Sequence, residues 1–536
     1  TSALGADTLG SRAVAIGRNA LIVQNFTTAT NNYNVAVGYS AGGSVTTATN
    51  STFLGGLAGE SVTTGGGNTF VGTESGDAVT IGNSNVAVGH KSLTTEVAGD
   101  RSVAVGFQAL ALQTNATTTD VYNVGIGYNA GYATTTGKEN TIVGPLAGDA
   151  FNTGSYNVAL GYAALSNDTK GESSVALGYQ ALLTQNFTGA TSAYNTAVGR
   201  NAGVSITSGT ENTIVGALAG DALTDTDFNV AVGVAALSGE TTGKGSTAIG
   251  YEALKTQNVA GGTTTYNVAV GYKAGLSLAS ATLNTAVGGL ALDAEVNGHR
   301  NTAIGYGALS TQSSGTSNNT SNTAVGYHAG VTISSGASNT VVGSEAGDSI
   351  ATGNNNICIG QGSDTTATNT SQAIVIGVGV GGVANTVTFG SSTNKITSTF
   401  VGTPNWAHSS DERLKKNIQD VPLGLTFIND LRAVTYNWKG NHELDSSDKE
   451  LEHLYKENAE DNVFDTTTTQ WGFIAQEIKS SLDTAGVDDW DGWSTDEHGV
   501  QRLAHTALME PLVKAVQELS TQVTALQAEV NTLKGG

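Results

Sequence analysis

The sequence predicts a mainly β protein, a parallel β-solenoid of 17- and 21-residue rungs followed by a small α/β domain that ends in a coiled coil. Three observations predict it. Glycines recur at steps of 17 or 21 residues, each after a short strand-like segment. The composition changes abruptly near Pro404, and a heptad pattern occupies the last helix-forming segment.

The composition excludes several protein classes. The chain holds 71 Gly but only 4 Pro, and its glycines do not recur every third residue, so it is not a collagen. One Cys excludes a disulfide scaffold and any multi-cysteine zinc or iron–sulfur site. A net charge of −22 argues against a nucleic-acid partner, because phosphates would be repelled. We also expect no membrane insertion, since no apolar run approaches about 18 residues.

A five-residue motif defines the repeat: Asn or Ser, then a β-branched residue such as Val or Thr, then usually Ala, then an aliphatic residue, then Gly. Residues 34–38, 157–161 and 339–343 are examples. A rung is the segment from one motif glycine to the next. The glycines stand at positions 17, 38, 55, 72, 89, 106, 127, 144, 161, 178, 199, 216, 233, 250, 271, 288, 305, 326, 343, 360 and 377.

Each motif position suggests a structural role. Apolar residues at alternate positions, such as Val35 and Val37, predict a short strand with one buried face. The glycine permits a bend or a close backbone approach. The small residue three positions later, such as Ala41 or Ala130, predicts close packing. Because so narrow a coil encloses little apolar volume, we expect several chains side by side, with these small-residue columns at their contacts.

Two further features of the rungs predict local structure, and the first leaves two alternatives open. The column of Asn residues predicts either a side-chain ladder along the solenoid or turn chemistry at the start of each strand. The four additional residues of the 21-residue rungs are polar, as in residues 25–30 and 186–191, and are expected to form outward loops.

The repeats in residues 13–380 resemble those of the YadA-like head of trimeric adhesins. Residues 195–199 and 174–179 carry the resemblance. It implies a left-handed parallel β-roll in a homotrimer that attaches to surfaces. The rung length here exceeds the family's usual shorter rung.

The C-terminal part differs in composition from the repeats. Residues 1–404 and residues 405–536 each hold 34 charged side chains, so charge density rises about threefold. We predict a repeat shaft over 1–390, a connector over 391–409 and a second domain over 410–536.

Strands are predicted in this domain at 433–438 and 470–475, and helices at 412–418 and 424–431. A coiled coil is predicted over 511–534, from apolar residues spaced alternately by four and three. An amphipathic helix packed on its own domain is the alternative. The spaced residues are Leu512, Val516, Leu519, Val523, Leu526, Val530 and Leu533.

The domain resembles the intramolecular chaperone of endosialidases and phage tail spikes, the peptidase S74 family. Four segments carry the resemblance in order: 410–418, 431–436, 472–477 and 507–519. The resemblance implies that the domain assembles a trimer and is often released by self-cleavage through a Ser–Lys dyad. By matching positions, the dyad is Ser410 and Lys415, and the cleaved bond is Ser409–Ser410.

The spacing of Ser410 and Lys415 constrains that dyad. On one helix, residues five apart lie about 140° from each other, so the pair would not share a face. The dyad therefore requires Ser410 outside a helix, or a lysine from a neighbouring chain. Alternatively, Ser410 and Asp411 cap a helix and Lys415 is a solvated base.

Other candidate sites are weaker. Gln476 and Glu477 either orient the Ser–Lys site or are ordinary polar residues. Five aspartates each lie five residues after a motif glycine, which suggests either a calcium-binding column or solvated turns: Asp77, Asp149, Asp221, Asp293 and Asp348. We favour turns, and predict neither a metal nor a cofactor.

The combined pattern predicts a homotrimeric tail fibre or spike of a phage virion, with a host-surface glycan or protein as receptor. Other virion tail proteins are expected to bind an N-terminal region missing from this chain. The alternative is a bacterial trimeric surface adhesin that carries the same chaperone. Possible enzymatic activity is limited to a single self-cleavage, since the repeats contain no carboxylate pair suited to glycan hydrolysis.

Overall fold

A computed structural model describes residues 2–315, 319–400, 412–457 and 466–535. The chain divides into two compact units, Thr1–Ser409 and Ser410–Gly536, which are described separately below.

The first unit is a parallel β-solenoid of about 22 turns, as the repeat predicts. Each short strand pairs in register with its copy in the next rung, as in Val35 with Thr52 and Ala36 with Phe53. The strands of this sheet are Val14–Ile16, Val35–Val37, Thr52–Leu54, Thr69–Val71, Val86–Val88, Val103–Val105, Val124–Ile126, Thr141–Val143, Val158–Leu160, Val175–Leu177, Thr196–Val198, Thr213–Val215, Val230–Val232, Thr247–Ile249, Val268–Val270, Thr285–Val287, Thr302–Ile304, Thr323–Val325, Thr340–Val342, Ile357–Ile359, Ile374–Val378 and Thr386–Ser391.

Additional strands flank this sheet. Lys395–Thr399 pairs antiparallel with Thr386–Ser391. Two-residue strands also pair in parallel between neighbouring rungs, and three of these pairings lie beside long rungs. They are Gly10–Ser11 with Thr30–Asn31, Gly99–Asp100 with Thr119–Asp120, Gly171–Glu172 with Thr191–Ser192, and Asp364–Thr365 with Gly381–Gly382.

The motif glycines stack directly on one another. Their φ angles lie between +118° and +147°, a region that side chains disfavour. A Cβ at Gly72 would lie 2.6 Å from the carbonyl oxygen of Gly89, and one at Gly127 would lie 2.6 Å from that of Gly144. Glycine is therefore required for close stacking of the rungs.

The buried face of the strands is the opposite of the one that the sequence pattern predicts. Ala36 is fully buried, whereas Val35 and Val37 on either side of it are half-exposed. The inward position is usually Ala, with larger residues such as Phe53 and Ile142 in some rungs, and the aliphatic residues on either side of it point outwards. The expectation that small residues lie at contacts between chains is also wrong, because Ala41 and Ala130 are fully buried within their own coil.

Two kinds of rung fill the interior in complementary ways. Where the fourth residue after the motif glycine is Gly, as at Gly42, the seventh is Thr or a larger apolar residue such as Val45. A Cβ at Gly42 would lie 2.8 Å from the ring of Phe53. Where the fourth residue is Leu, the seventh is polar. These leucines, with φ near +50°, are Leu21, Leu93, Leu110, Leu165, Leu182, Leu237, Leu254, Leu292 and Leu309.

A left-handed conformation costs a leucine about 1–2 kcal/mol. Burying its side chain contributes about 1.5–3 kcal/mol, which offsets that cost. The leucine therefore fills the volume that the apolar residue leaves when the seventh position becomes polar.

The Asn column forms a buried ladder that links successive rungs. Oδ1 of Asn140 accepts the N–H of Asn157 at 3.0 Å, and Nδ2 of Asn140 donates to the carbonyl of Gly154 at 2.9 Å. Asn157 repeats both bonds with Ser174 and Gly171. The ladder therefore satisfies backbone groups that would otherwise be buried without partners.

The glutamine of each 21-residue rung pairs with a carboxylate of the preceding rung, a contact that was not predicted from the sequence. The glutamine Nε2 donates to a carboxylate of the preceding rung at 2.5–3.0 Å, and its Oε1 accepts from the ladder asparagine ten residues later. The glutamine thus continues the ladder past the additional residues. The pairs are Asp7–Gln24, Glu96–Gln113, Asp168–Gln185, Glu240–Gln257 and Glu295–Gln312.

The carboxylate also fixes the base of the loop. Oε1 of Glu96 accepts backbone N–H groups from Gly99 at 2.8 Å and from Asn115 at 3.0 Å, across the two rungs. Beyond this anchor, residues 116–118 are exposed, as are residues 188–190 of the third long rung. The additional residues therefore form outward loops, as the sequence predicts.

The second unit is mixed α/β. Its helices are α1 (Leu425–Asp430), α2 (Ala475–Ala485) and α3 (Met509–Gly535). Two hairpins pair Val434–Tyr436 with Gln470–Gly472 and Trp493–Thr495 with Gln501–Leu503. Its short 3-10 helices are Glu412–Leu414, Asn441–Glu443, Glu452–Leu454 and His505–Leu508.

A small core in this unit joins α1 to α2 through Phe427, Ile478 and Leu482. The predicted helix over 412–418 is too long, because only Glu412–Leu414 is helical and Ile418 is 64% exposed. The predicted strand 470–475 is also too long, because Ala475 begins α2.

Replacement of Asn140 by Ala tests the ladder. The variant leaves the Asn157 N–H and the Gly154 carbonyl without their partner, which should cost about 2–4 kcal/mol. Urea unfolding followed by circular dichroism would measure the loss. Asn167→Ala, at an exposed position, is the matched control, and equal stability of the two variants would contradict the ladder.

The pH dependence of Glu295→Gln tests the carboxylate. Burial acts to raise the pKa of Glu295, but hydrogen bonds from Gln312, Ser314 and Gly298 outweigh it and lower that pKa. The ionised carboxylate therefore stabilises the fold above its unfolded pKa of about 4.3, and this contribution disappears as pH falls through the folded value. The stability difference between wild type and Glu295→Gln should shrink in acid.

Asp168→Asn supplies a control of opposite sign. Burial raises the pKa of Asp168 despite a hydrogen bond from Gln185. Ionisation of Asp168 therefore opposes folding. Wild type should lose stability relative to Asp168→Asn as pH rises from the unfolded pKa of the aspartate to its higher folded pKa. Parallel pH profiles for the two variants, measured by thermal unfolding, would refute the assignment.

Candidate functional site

The predicted cleavage segment is only partly described. Ser409, Ser410 and Asp411 lie outside the described residues, so their predicted roles stay predictions. Lys415 follows the 3-10 turn Glu412–Leu414, and its N–H donates to the carbonyl of Glu412 at 3.0 Å. Its side chain is exposed. Since a lysine acts as a base only when neutral, the role predicted for Lys415 requires desolvation that this chain's described residues do not provide.

Gln476 and Glu477 lie in the first turn of α2. Glu477 forms an ion pair with Arg432, whose Nε donates to Oε2 at 3.2 Å while Nη2 contacts Oε1. The hydrogen bonds from Arg432 lower the pKa of Glu477. The pair joins two of the segments that resemble the chaperone family, beside the hairpin in which Val434 pairs with Gly472. Glu477 therefore connects secondary-structure elements of this unit.

Gln476 borders an open cavity of about 610 Å³. Tyr436, Trp438 and Phe473 form much of its wall. A second cavity of about 550 Å³ adjoins Trp438 and contains Leu454 and Arg502 in its lining. Both linings combine aromatic and aliphatic side chains with polar and charged ones, among them Gln501 and Arg502.

Helix α3 presents an apolar seam to solvent. Its first turns pack within the unit: Ala515 is buried, and Glu518 accepts the backbone N–H of Leu425 at 2.7 Å at the start of α1. In these first turns α3 is therefore a helix packed on its own domain, which is the alternative to a coiled coil stated above. The seam residues are nevertheless 44–79% exposed: Leu512, Val516, Leu519, Val523, Leu526, Val530 and Leu533.

The aspartate column of the solenoid does not form a joint cation site. Burial raises the pKa of Asp77, Asp149, Asp221 and Asp293, which are half-buried rather than fully solvated. Asp77 and Asp149 are four rungs apart, about 19 Å at the usual strand spacing, so their carboxylates cannot share an ion. In the part of the chain that the structure describes, no group of three acidic, His or Cys side chains is placed to hold a metal.

The sequence pattern was not used to predict Arg432 or the five carboxylates that pair with glutamines, of which Asp7 is half-buried and the other four are buried. A signal for the carboxylates was present, because each long rung has Gln seven residues after its glycine and the rung before it has Asp or Glu at that position. Arg432 carried no comparable signal, since its partner lies 45 residues away. Of the helices that the structure describes, none has the length and apolar character to span a bilayer.

Comparison with known proteins identifies part of the C-terminal unit. No curated protein and no solved structure matches the chain. A family model described as Peptidase_S74, chaperone of endosialidase, matches residues 410–487. That range contains Lys415, Arg432, Gln476 and Glu477 and ends just after α2. The chain therefore carries a β-solenoid followed by a peptidase S74, chaperone-of-endosialidase domain.

Proposed function

We propose that this protein is a homotrimeric attachment protein of the tail-fibre or tail-spike type. Its S74 domain guides assembly of three solenoids, which then present their loops to a host cell surface. The match to the endosialidase chaperone over residues 410–487 is the observation that carries the proposal. The exposed seam of α3 supports it, because a heptad helix with an uncovered seam is suited to a coiled coil.

The outer face of the solenoid supports association of the shafts. Ile16 is 60% exposed, and Leu54 and Leu160 are exposed by almost half. These residues belong to columns that repeat in every rung, so together they form a continuous apolar stripe. Stripes of that size usually mark an interaction surface. The YadA-like resemblance of the repeats leads to the same proposal, a trimer with these columns between the chains.

The proposed location is a phage virion, where other tail proteins bind the N-terminal side of the shaft and the receptor is a host-surface glycan or protein. A bacterial trimeric adhesin with the same chaperone is the alternative. Neighbouring capsid and tail genes would favour the virion, and neighbouring cell-envelope genes would favour the adhesin.

Self-cleavage is part of the proposal. The Ser410 hydroxyl attacks the carbonyl carbon of Ser409 while Lys415 takes its proton, so that an ester replaces the Ser409–Ser410 amide and the freed Ser410 amine is protonated. Water then hydrolyses the ester and releases the fragment that begins at Ser410. Because the Lys415 side chain is exposed in the single chain, we propose that a neighbouring chain buries it in the assembled trimer. Cleavage would then follow assembly.

Leu526→Lys tests assembly. Leu526 is 59% exposed in the single chain, so the charge should leave the unit folded while it prevents coiled-coil formation. With Ser410→Ala in both proteins to keep the chains intact, light scattering should give about three times 54.1 kDa without the Leu526→Lys change and a smaller mass with it. Gln527→Lys, also exposed, is the control and should stay trimeric.

Sedimentation with cells tests attachment. Labelled wild type should sediment with cells of at least one strain in a bacterial panel. A wild-type protein that is monomeric and binds no strain refutes the proposal.

Intact-mass spectrometry of wild type, Ser410→Ala, Lys415→Ala and the control Lys416→Ala tests cleavage. Wild type and Lys416→Ala should release a fragment that begins at Ser410, and the other two variants should keep the full mass of 54.1 kDa. Absence of any fragment from assembled wild type would rule out self-cleavage while leaving assembly unaffected.

A further inference from the structure

One column of the solenoid carries exposed aromatic rings at every second rung. The position is five residues before the motif glycine. From Gly127 to Gly271 it alternates between aromatic and non-aromatic residues. The aromatic column consists of Tyr122, Tyr156, Tyr194, Phe228 and Tyr266, whose exposed fractions are 48%, 55%, 60%, 57% and 61%.

The rings of the aromatic column are regularly spaced and do not stack on each other. Adjacent rungs lie about 4.8 Å apart, so rings two rungs apart are separated by about 9.6 Å, and the column spans about 38 Å. Rings in adjacent rungs elsewhere on the solenoid do stack, as Tyr162 and Tyr179 do with centroids 5.3 Å apart. The two-rung spacing of the aromatic column leaves room between consecutive rings.

These rings occupy a backbone conformation that disfavours them. The five residues have φ between +49° and +63°, the left-handed region in which Gly and Asn are least strained. A buried leucine offsets such strain by filling the core, but these rings are half-exposed or more. The conformation belongs to the position, because Glu139, Ser173 and Glu211 in the intervening rungs have φ between +56° and +60°. What distinguishes the aromatic residues is that large rings are exposed at regular intervals, and an interaction outside the chain would account for them.

The residues between the rings define the chemistry of the surface. Glu139, Ser173, Glu211 and Gly245 occupy the intervening rungs, and the side chains of Glu139 and Glu211 are exposed. Two carboxylates and a hydroxyl can accept hydrogen bonds from hydroxyl groups. The same carboxylates repel anions. At one end, Arg101 lies over the ring of Tyr122 at 5.5 Å and donates to its hydroxyl at 2.8 Å, which closes the column.

We propose that the aromatic column binds an extended, uncharged polysaccharide of β-1,4-linked hexopyranoses that runs along the solenoid. The apolar C–H face of a pyranose packs on an aromatic ring, and its hydroxyl groups bond to the polar groups beside the ring. In a β-1,4-linked chain, alternate sugars present the same face, and a disaccharide repeat has nearly the length of two rungs. The inference rests on the proposed attachment function and specifies its ligand class.

Titration of the full chain with cellohexaose and with chitohexaose tests the proposal, with isothermal calorimetry as the readout. We expect binding of at least one hexasaccharide, and binding at least tenfold weaker for its disaccharide, because a disaccharide reaches one ring. Tyr194→Ala combined with Phe228→Ala should weaken hexasaccharide binding at least tenfold. Tyr162→Ala, which removes an exposed ring outside the column, is the matched control and should bind as wild type does.

Two outcomes overturn the inference. The first is that neither hexasaccharide binds at millimolar concentration. The second is that the double variant changes the assembled mass in light scattering, which would make the aromatic column a contact between chains. Sedimentation of the same preparations with the bacterial panel separates the two proposals: wild type that attaches to cells without binding a hexasaccharide retains the attachment function and refutes only the ligand class.

Discussion

The solenoid depends on one constraint: each rung must return its strand to the same place against the preceding one. The motif glycines set this distance, because a Cβ at Gly72 would lie 2.6 Å from the carbonyl of Gly89. At that distance polar atoms on the inner side have no access to water. Buried donors and acceptors therefore need partners within the coil, and the asparagine ladder provides many of them between neighbouring rungs, as in the bond from Asn157 N–H to Oδ1 of Asn140.

The long rungs test this constraint, because four additional residues interrupt the regular path. The glutamine of each long rung replaces the missing ladder contact, and the carboxylate of the preceding rung accepts both its amide and backbone N–H groups of the loop. Glu96 thus has several hydrogen-bond donors. Hydrogen bonding of this kind makes burial of a carboxylate tolerable.

Much of the fold could be predicted from the sequence, because a repeat of fixed length determines architecture more strongly than local propensity does. The buried face could not. Val35 and Val37 alternate with Ala36, and this pattern is equally compatible with either face; the width of the coil decides, and width is a property of the closed rung. The heptad pattern predicted the bounds of helix α3 to within two residues. The site around Ser410 rests on resemblance, because a Ser–Lys dyad depends on side-chain contacts that the spacing of two residues in sequence does not define.

The pairing of each glutamine with a carboxylate one rung earlier has an evolutionary consequence. A loop is not gained or lost cleanly by duplicating or deleting a single rung. A lone glutamine rung would bury an amide without its acceptor, and a lone acidic rung would bury a carboxylate without the glutamine amide that donates to it. The inheritable unit of a loop is therefore two consecutive rungs, whereas plain rungs such as the one from Gly55 to Gly72 can be copied singly. Shaft length and loop number can thus change independently, in steps of different size.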